Sequence, residues 1–201
     1  YSRLAVDRDG IVTRLRADRN DRLICILILV IKEDKMKVLV AYFSETGNTE
    51  KVAQAIYDGI EEAEKEISPV QETTNVEEYD LIFCGFPVHA SSVPHKVEPF
   101  LKSIPQGKSV AIFATHGSLR KGQLATSAFD YAVSLLSKAK TIGTFGCRGK
   151  VKPELLEVLA KKPEHRAWAE EAQGAVAHPD EADLEDAKDF AKKMVKKALS
   201  D

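Results

Sequence analysis

The sequence predicts an α/β protein built on a doubly wound, five-stranded parallel sheet of order 2-1-3-4-5, with helices on both faces. Three observations point there. From Lys37 onward, short apolar runs alternate with segments whose apolar residues recur every three to four positions, the pattern of strands joined by right-handed helical crossovers. The run LIFCGF at residues 81–86 has no polar interruption, as a strand covered on both faces requires. A polar turn rich in Ser, Thr and Gly joins the first strand to the first helix, at the sheet end where doubly wound folds bind ligands.

In chain order, KVLVAYF at 37–43 predicts the first strand. A helix follows from about Thr49, with Val52, Ile56, Ile60 and Ala63 on one face. A short, weak second strand is expected near residues 70–73, and the third is LIFCGF. The loop PVHASSVP leads into a helix carrying Val97, Phe100 and Leu101. SVAIFAT at 109–115 is the fourth strand, followed by the loop HGS and a helix around 126–138. TIGTFGC at 141–147 is the fifth strand. The last helix, Glu181–Leu199, has Asp180 as its cap and Leu184, Ala187, Ala191, Met194, Val195 and Ala198 as its apolar positions. Residues 148–179 exceed an ordinary connection, and KPELLEVLA and PEHRAWAEEA within them predict two short helices of an ordered insertion.

Residues 1–35 look different. They are rich in isolated Arg and Asp and end just before Met36, so they are expected to be an N-terminal extension, with Met36 the natural start of a domain at 36–201. The alternatives are an extra edge strand at 23–31 or a signal or anchor segment. IKEDK after the apolar run disfavours the latter, because small residues would stand at a cleavage site. The longest apolar run is those nine residues, against about 20 needed to cross a bilayer, so no membrane partner is expected.

Composition excludes further classes. With 44% hydrophobic and 30% charged residues, the chain is globular rather than disordered or fibrous. Its 3 cysteines (Cys25, Cys84, Cys147) form no CxxC, which excludes the usual disulfide frameworks, zinc sites and iron–sulfur clusters and fits a reducing compartment. The formal charge is −2; residues 1–35 carry 8 basic and 6 acidic side chains, leaving −4 on the remainder. A weakly acidic domain without a basic stripe is a poor nucleic-acid binder, because phosphate neutralisation supplies most of that affinity.

The turn Ser44, Glu45, Thr46, Gly47, Asn48, Thr49 has the chemistry of an anion cradle. Hydroxyls of Ser44, Thr46 and Thr49 and backbone N–H groups converge at a helix N-terminus, whose dipole adds about 0.3–1 kcal/mol. Gly47 permits close backbone approach or positive φ. With no Lys or Arg in the turn, dipoles and hydroxyls alone must hold the anion; the plainer reading is a capped turn. Competing phosphate motifs are missing: no GxxxxGK[ST] follows the first strand, there is no GxGxxG, the third strand ends in Cys84-Gly85-Phe86 without an acceptor Asp, and no Cys-x5-Arg loop is present.

At these residues the sequence resembles the flavodoxin family, whose phosphate loop reads Ser/Thr-x-Thr-Gly-x-Thr; here it is Ser44-x-Thr46-Gly47-x-Thr49, directly after the first strand. The resemblance covers essentially residues 36–199. It implies non-covalent FMN, with the ring between the loop containing Pro87, Val88, His89, Ala90 and Ser91 and the loop containing Thr115, His116, Gly117 and Ser118. Many family members sandwich the ring between Trp and Tyr, but neither loop here contains either, and the only Trp, Trp168, lies in the insertion. His89 and His116 are the nearest planar side chains. Cys84 reads as a small buried hydrophobe, Cys147 and Arg148 stand near the ligand end, and His95 reads as a surface residue.

The implied function is a cytoplasmic, monomeric FMN protein shuttling electrons between a reductase and an acceptor enzyme. The alternative is an FMN-dependent NAD(P)H quinone or azo reductase on the same fold, with the insertion as a pocket wall. A third reading is an adaptor without flavin.

Overall fold

Five strands form one all-parallel sheet: β1 (Lys37–Tyr42), β2 (Glu64–Pro69), β3 (Leu81–Pro87), β4 (Ser109–His116) and β5 (Lys140–Arg148), in the spatial order β2-β1-β3-β4-β5. This comes from a computed structural model that describes residues 35–119, 122–136 and 138–200; the expectations for residues 1–34, including the strand at 23–31, lie outside the described residues. The predicted sheet and its order are observed.

Because β1, β3 and β4 are interior strands, both of their faces are covered, and the side chains from Val38 to Ala41 and from Leu81 to Cys84 are inaccessible. On one face lie Leu39, Ile82, Cys84, Val110 and Ile112, covered by α2 (Glu98–Ser103) through Phe100 and Leu101 and by α3 (Gln123–Leu135) through Ala128 and Ala132. On the other lie Val38, Val40, Phe83 and Phe113, covered by α1 (Asn48–Gly59) through Val52 and Ile56 and by α6 (Glu181–Leu199) through Ala187 and Phe190. The period-2 strands and 3.6-period helices thus bury complementary stripes. Cys84 is wholly buried, as expected, and burial pushes its thiol well above the ordinary range.

Three elements depart from expectation. The second strand is not at 70–73 but at Glu64–Pro69, with Val70 adding one further bond to the carbonyl of Tyr42. It was hidden because it is an edge strand, its inward positions filled partly by a lysine stem: Lys65 Nζ donates to the carbonyls of Tyr57 and Ile60 at 2.8 and 2.9 Å and lies over the Tyr57 ring. The chain passes from β2 to β3 through turns, with no helix among the described residues of that crossover. Helix α1 stops at Gly59, so Ile60 is buried from an extended conformation and Ala63 stands just before β2. Helix α3 begins three residues earlier than expected, after Gly122 in extended geometry.

The insertion is ordered as predicted: α4 (Pro153–Ala160) and α5 (Pro163–Gln173) share a small apolar cluster of Leu156, Ala169 and Ala172 with Val151, Leu159 and Trp168 packed against it. No helix among the described residues is long and apolar enough to cross a membrane.

Candidate functional site

The turn at residues 44–47 follows β1 and enters α1 through Gly47, whose φ of +82° is left-handed. Glycine as N-cap leaves α1 without a side-chain cap. The N–H groups of the first turn have no intrahelical acceptors, so these donors face the space above the turn. Ser44 Oγ accepts from Gly47 N–H at 3.1 Å, and Thr46 Oγ1 accepts from Asn48 Nδ2 at 3.1 Å. Each hydroxyl uses a lone pair in those bonds and keeps its own hydrogen for an outside acceptor. The turn's one carboxylate is directed elsewhere: Glu45 Oε2 lies 3.5 Å from His89 Nε2, both side chains nearly half exposed.

Thr49 differs from the other two hydroxyls. It is fully buried, and its Oγ1 lies 2.9 Å from Thr115 Oγ1 at the end of β4. One of this pair donates to the other, so Thr49 ties the start of α1 to the sheet end rather than presenting an open hydroxyl. Asn48 adds a second tie, donating from Nδ2 to the carbonyl of Lys150 at 2.9 Å.

The loop after β3 begins with Pro87 and Val88, whose N–H donates to the Thr115 carbonyl at 2.9 Å. His89 and Ser92 exchange two backbone hydrogen bonds, of 3.0 and 2.8 Å, closing a two-residue turn in which Ala90 and Ser91 have φ of +46° and +63°. Positive φ at both central positions is the turn pattern usually filled by Asn-Gly, so these side chains hold a backbone that L-residues adopt at a cost of about 1–3 kcal/mol each.

The start of the loop after β4 is buried, up to Ser118. His116 and Ser118 are 6% and 5% exposed, and His116 Nδ1 lies 2.9 Å from the Ser118 carbonyl. The His116 ring borders a cleft of about 440 Å³ between α3 and β5, lined also by Phe129, Asp130 and Phe145. A β-carbon on Gly117 would lie 2.7 Å from Val151 Cγ2 and 3.1 Å from Trp168 Cζ2, so any larger residue there would displace the insertion's side chains. The structure thus links Glu45 to His89, Thr49 to Thr115, and Val88 to Thr115, while His116 is turned toward the β5 side.

Three residues outside the predicted set complete this end of the sheet. Trp168 Nε1 donates to Ser118 Oγ at 3.1 Å, the Leu119 N–H donates to Glu171 Oε1 at 2.6 Å, and Arg148 donates to the carbonyls of Glu171, Gly174 and Gly117 at 2.6, 3.1 and 3.4 Å. Arg148, half-buried, therefore fastens the insertion to the end of β5. Cys147 is wholly buried on the α1 side of the sheet.

Residues 39–192 match the family model of the flavodoxin domain. A flavodoxin-like domain-containing protein, BilS of Clostridioides difficile, is 35% identical over 175 residues, covering 81% of this chain and 98% of that protein. Among solved structures, a flavodoxin from the domain Archaea superposes with a TM-score of 0.55 at 18% identity, covering 82% of this chain and 99% of its own. Oxidised flavodoxin 2 from Bacillus cereus does so with a TM-score of 0.55 at 22% identity, covering 80% and 99%. The structural likenesses speak for the fold, and the family match spans most of the chain: it belongs to the flavodoxin family.

Proposed function

We propose that this chain binds FMN and carries electrons between a reductase and an acceptor enzyme. The observation that carries the reading is the turn at residues 44–49: an α1 start without a side-chain cap, two hydroxyls with hydrogens to spare, and the local carboxylate drawn toward His89. A phosphate monoester matches that donor set, since it is anionic and brings only acceptors at neutral pH.

In this reading Ser44, Thr46 and the backbone N–H groups of Asn48 and Thr49 hold the phosphate, with Gly47 N–H positioning Ser44 and Thr49 placing the helix start through Thr115. Pro87, Val88, His89, Ala90 and Ser91 flank the ring on one side, and Thr115, His116, Gly117 and Ser118 border the other. FMN supplies one- and two-electron redox chemistry when bound, and the protein's part is to bind, orient and tune it. The left-handed backbone at Ala90 and Ser91 fixes which peptide groups of that turn face the ring.

A reductase acting directly on a small molecule is the second reading, favoured by the insertion: Trp168 and Glu171 cover the loop after β4 and wall that side of the site. Turnover separates the two. The purified protein, loaded with FMN, is mixed with NAD(P)H and a quinone, with and without an added flavin reductase. A carrier is reduced only when the reductase is present; rapid NAD(P)H oxidation without it contradicts the carrier reading and supports the second.

A further inference from the structure

Three consecutive residues of the loop after β4 are each held by a different side chain from beyond it. Arg148 reaches the Gly117 carbonyl, Trp168 the Ser118 hydroxyl and Glu171 the Leu119 N–H. Arg148 also grips the carbonyls of Glu171 and Gly174, so the end of α5 that carries Glu171 is itself fastened to β5. Val151, Trp168 and Ala172 fill the space beside Gly117 so closely that a β-carbon there would meet all three within 3.3 Å. Just before α4, the Lys150 carbonyl accepts from Asn48 in the anion turn. The insertion therefore touches both halves of the candidate site while forming a small apolar cluster of its own.

A short loop segment has many conformations close in free energy, and ordering it on ligand binding subtracts from affinity. Here residues 117–119 are already held by side chains that come from 31 to 52 residues further along the chain. We propose that the insertion is a positioning brace for the flavin-ring side of the site, with Trp168 and Glu171 acting through Ser118 and Leu119 and Arg148 locking the brace to β5. The proposal rests on the FMN reading above. It assigns the insertion an internal duty: the ring-side loop is set before the ligand arrives, and its rigidity sets both the affinity for the ring and the potential of the bound flavin.

Phosphate-side and ring-side effects separate with two ligands. FMN carries both groups, whereas riboflavin lacks the phosphate. In the full chain, Trp168→Phe removes the indole donor while keeping an aromatic ring, and Glu171→Ala removes the acceptor at an exposed position, so the second variant still answers if the first misfolds. The double variant is expected to bind FMN and riboflavin each about tenfold more weakly, with a shifted midpoint potential for the bound flavin. Glu171→Gln, which keeps an acceptor oxygen, is expected to restore wild-type behaviour. Thr46→Ala serves as the contrast, weakening FMN alone. Unchanged affinities and potential in the double variant, or a loss confined to FMN, overturns the brace while leaving the FMN reading intact. A wild-type chain that retains neither flavin overturns both.

Discussion

At Gly85 a β-carbon would lie 2.0 Å from a carbon of the Phe113 ring, which is itself fully buried. The register places these two residues side by side on β3 and β4, so neither backbone can give way without breaking the ladder. Gly85→Ala is expected to cost about 1–3 kcal/mol through overpacking, read as a lower denaturant midpoint with an unchanged slope; wild-type stability would show that the ring moves freely. The same scale explains what could and could not be read in advance at the site. Ser44, Thr46 and Gly47 announce themselves because an anion turn needs hydroxyls and positive φ at that spacing. Thr49 matches the motif equally well, yet its hydroxyl is paired with Thr115, 66 residues away, a long-range contact that no local pattern encodes.

Among the elements, α6 was legible to the residue because its start is written chemically. Asp180 accepts from Asp183 N–H at 2.9 Å and Asp183 accepts from Asp180 N–H at 3.1 Å, a reciprocal box that satisfies two otherwise orphaned donors. Asp180→Ala is expected to lower stability by about 1 kcal/mol, measured by chemical denaturation. No change would mean that the neighbouring His178–Asp183 hydrogen bond secures the helix start unaided. Strand β2 escapes the sequence pattern for the opposite reason: Glu64 and Glu66 alternate exposed with Lys65, a charged residue whose head is held by backbone carbonyls rather than by solvent. The helices of the insertion were readable from their sequence, but their duty was not. Arg148, Trp168 and Glu171 reach the site mostly through backbone carbonyls and N–H groups, which every residue possesses and no motif marks.

On the scale of the whole molecule, two helical layers and an all-parallel sheet bring the ends of β1, β3 and β4 together, and everything proposed about function lies at that end. The anion turn sits at the tip of β1, the strained turn of Ala90 and Ser91 beyond β3, and the braced loop beyond β4. The surplus of −4 on residues 36–201 is small, so partner docking is expected to rest on shape more than on long-range steering. What unites these parts is the claim that the phosphate of FMN is seated at residues 44–49. The most direct measurement is the ratio of dissociation constants for riboflavin and FMN on the same protein. Two charge-assisted hydrogen bonds at about 1.5–3 kcal/mol each predict FMN to bind at least ~100-fold more tightly, with the ratio falling in Thr46→Ala. Equal affinities, or a ratio untouched by that substitution, would place the phosphate elsewhere.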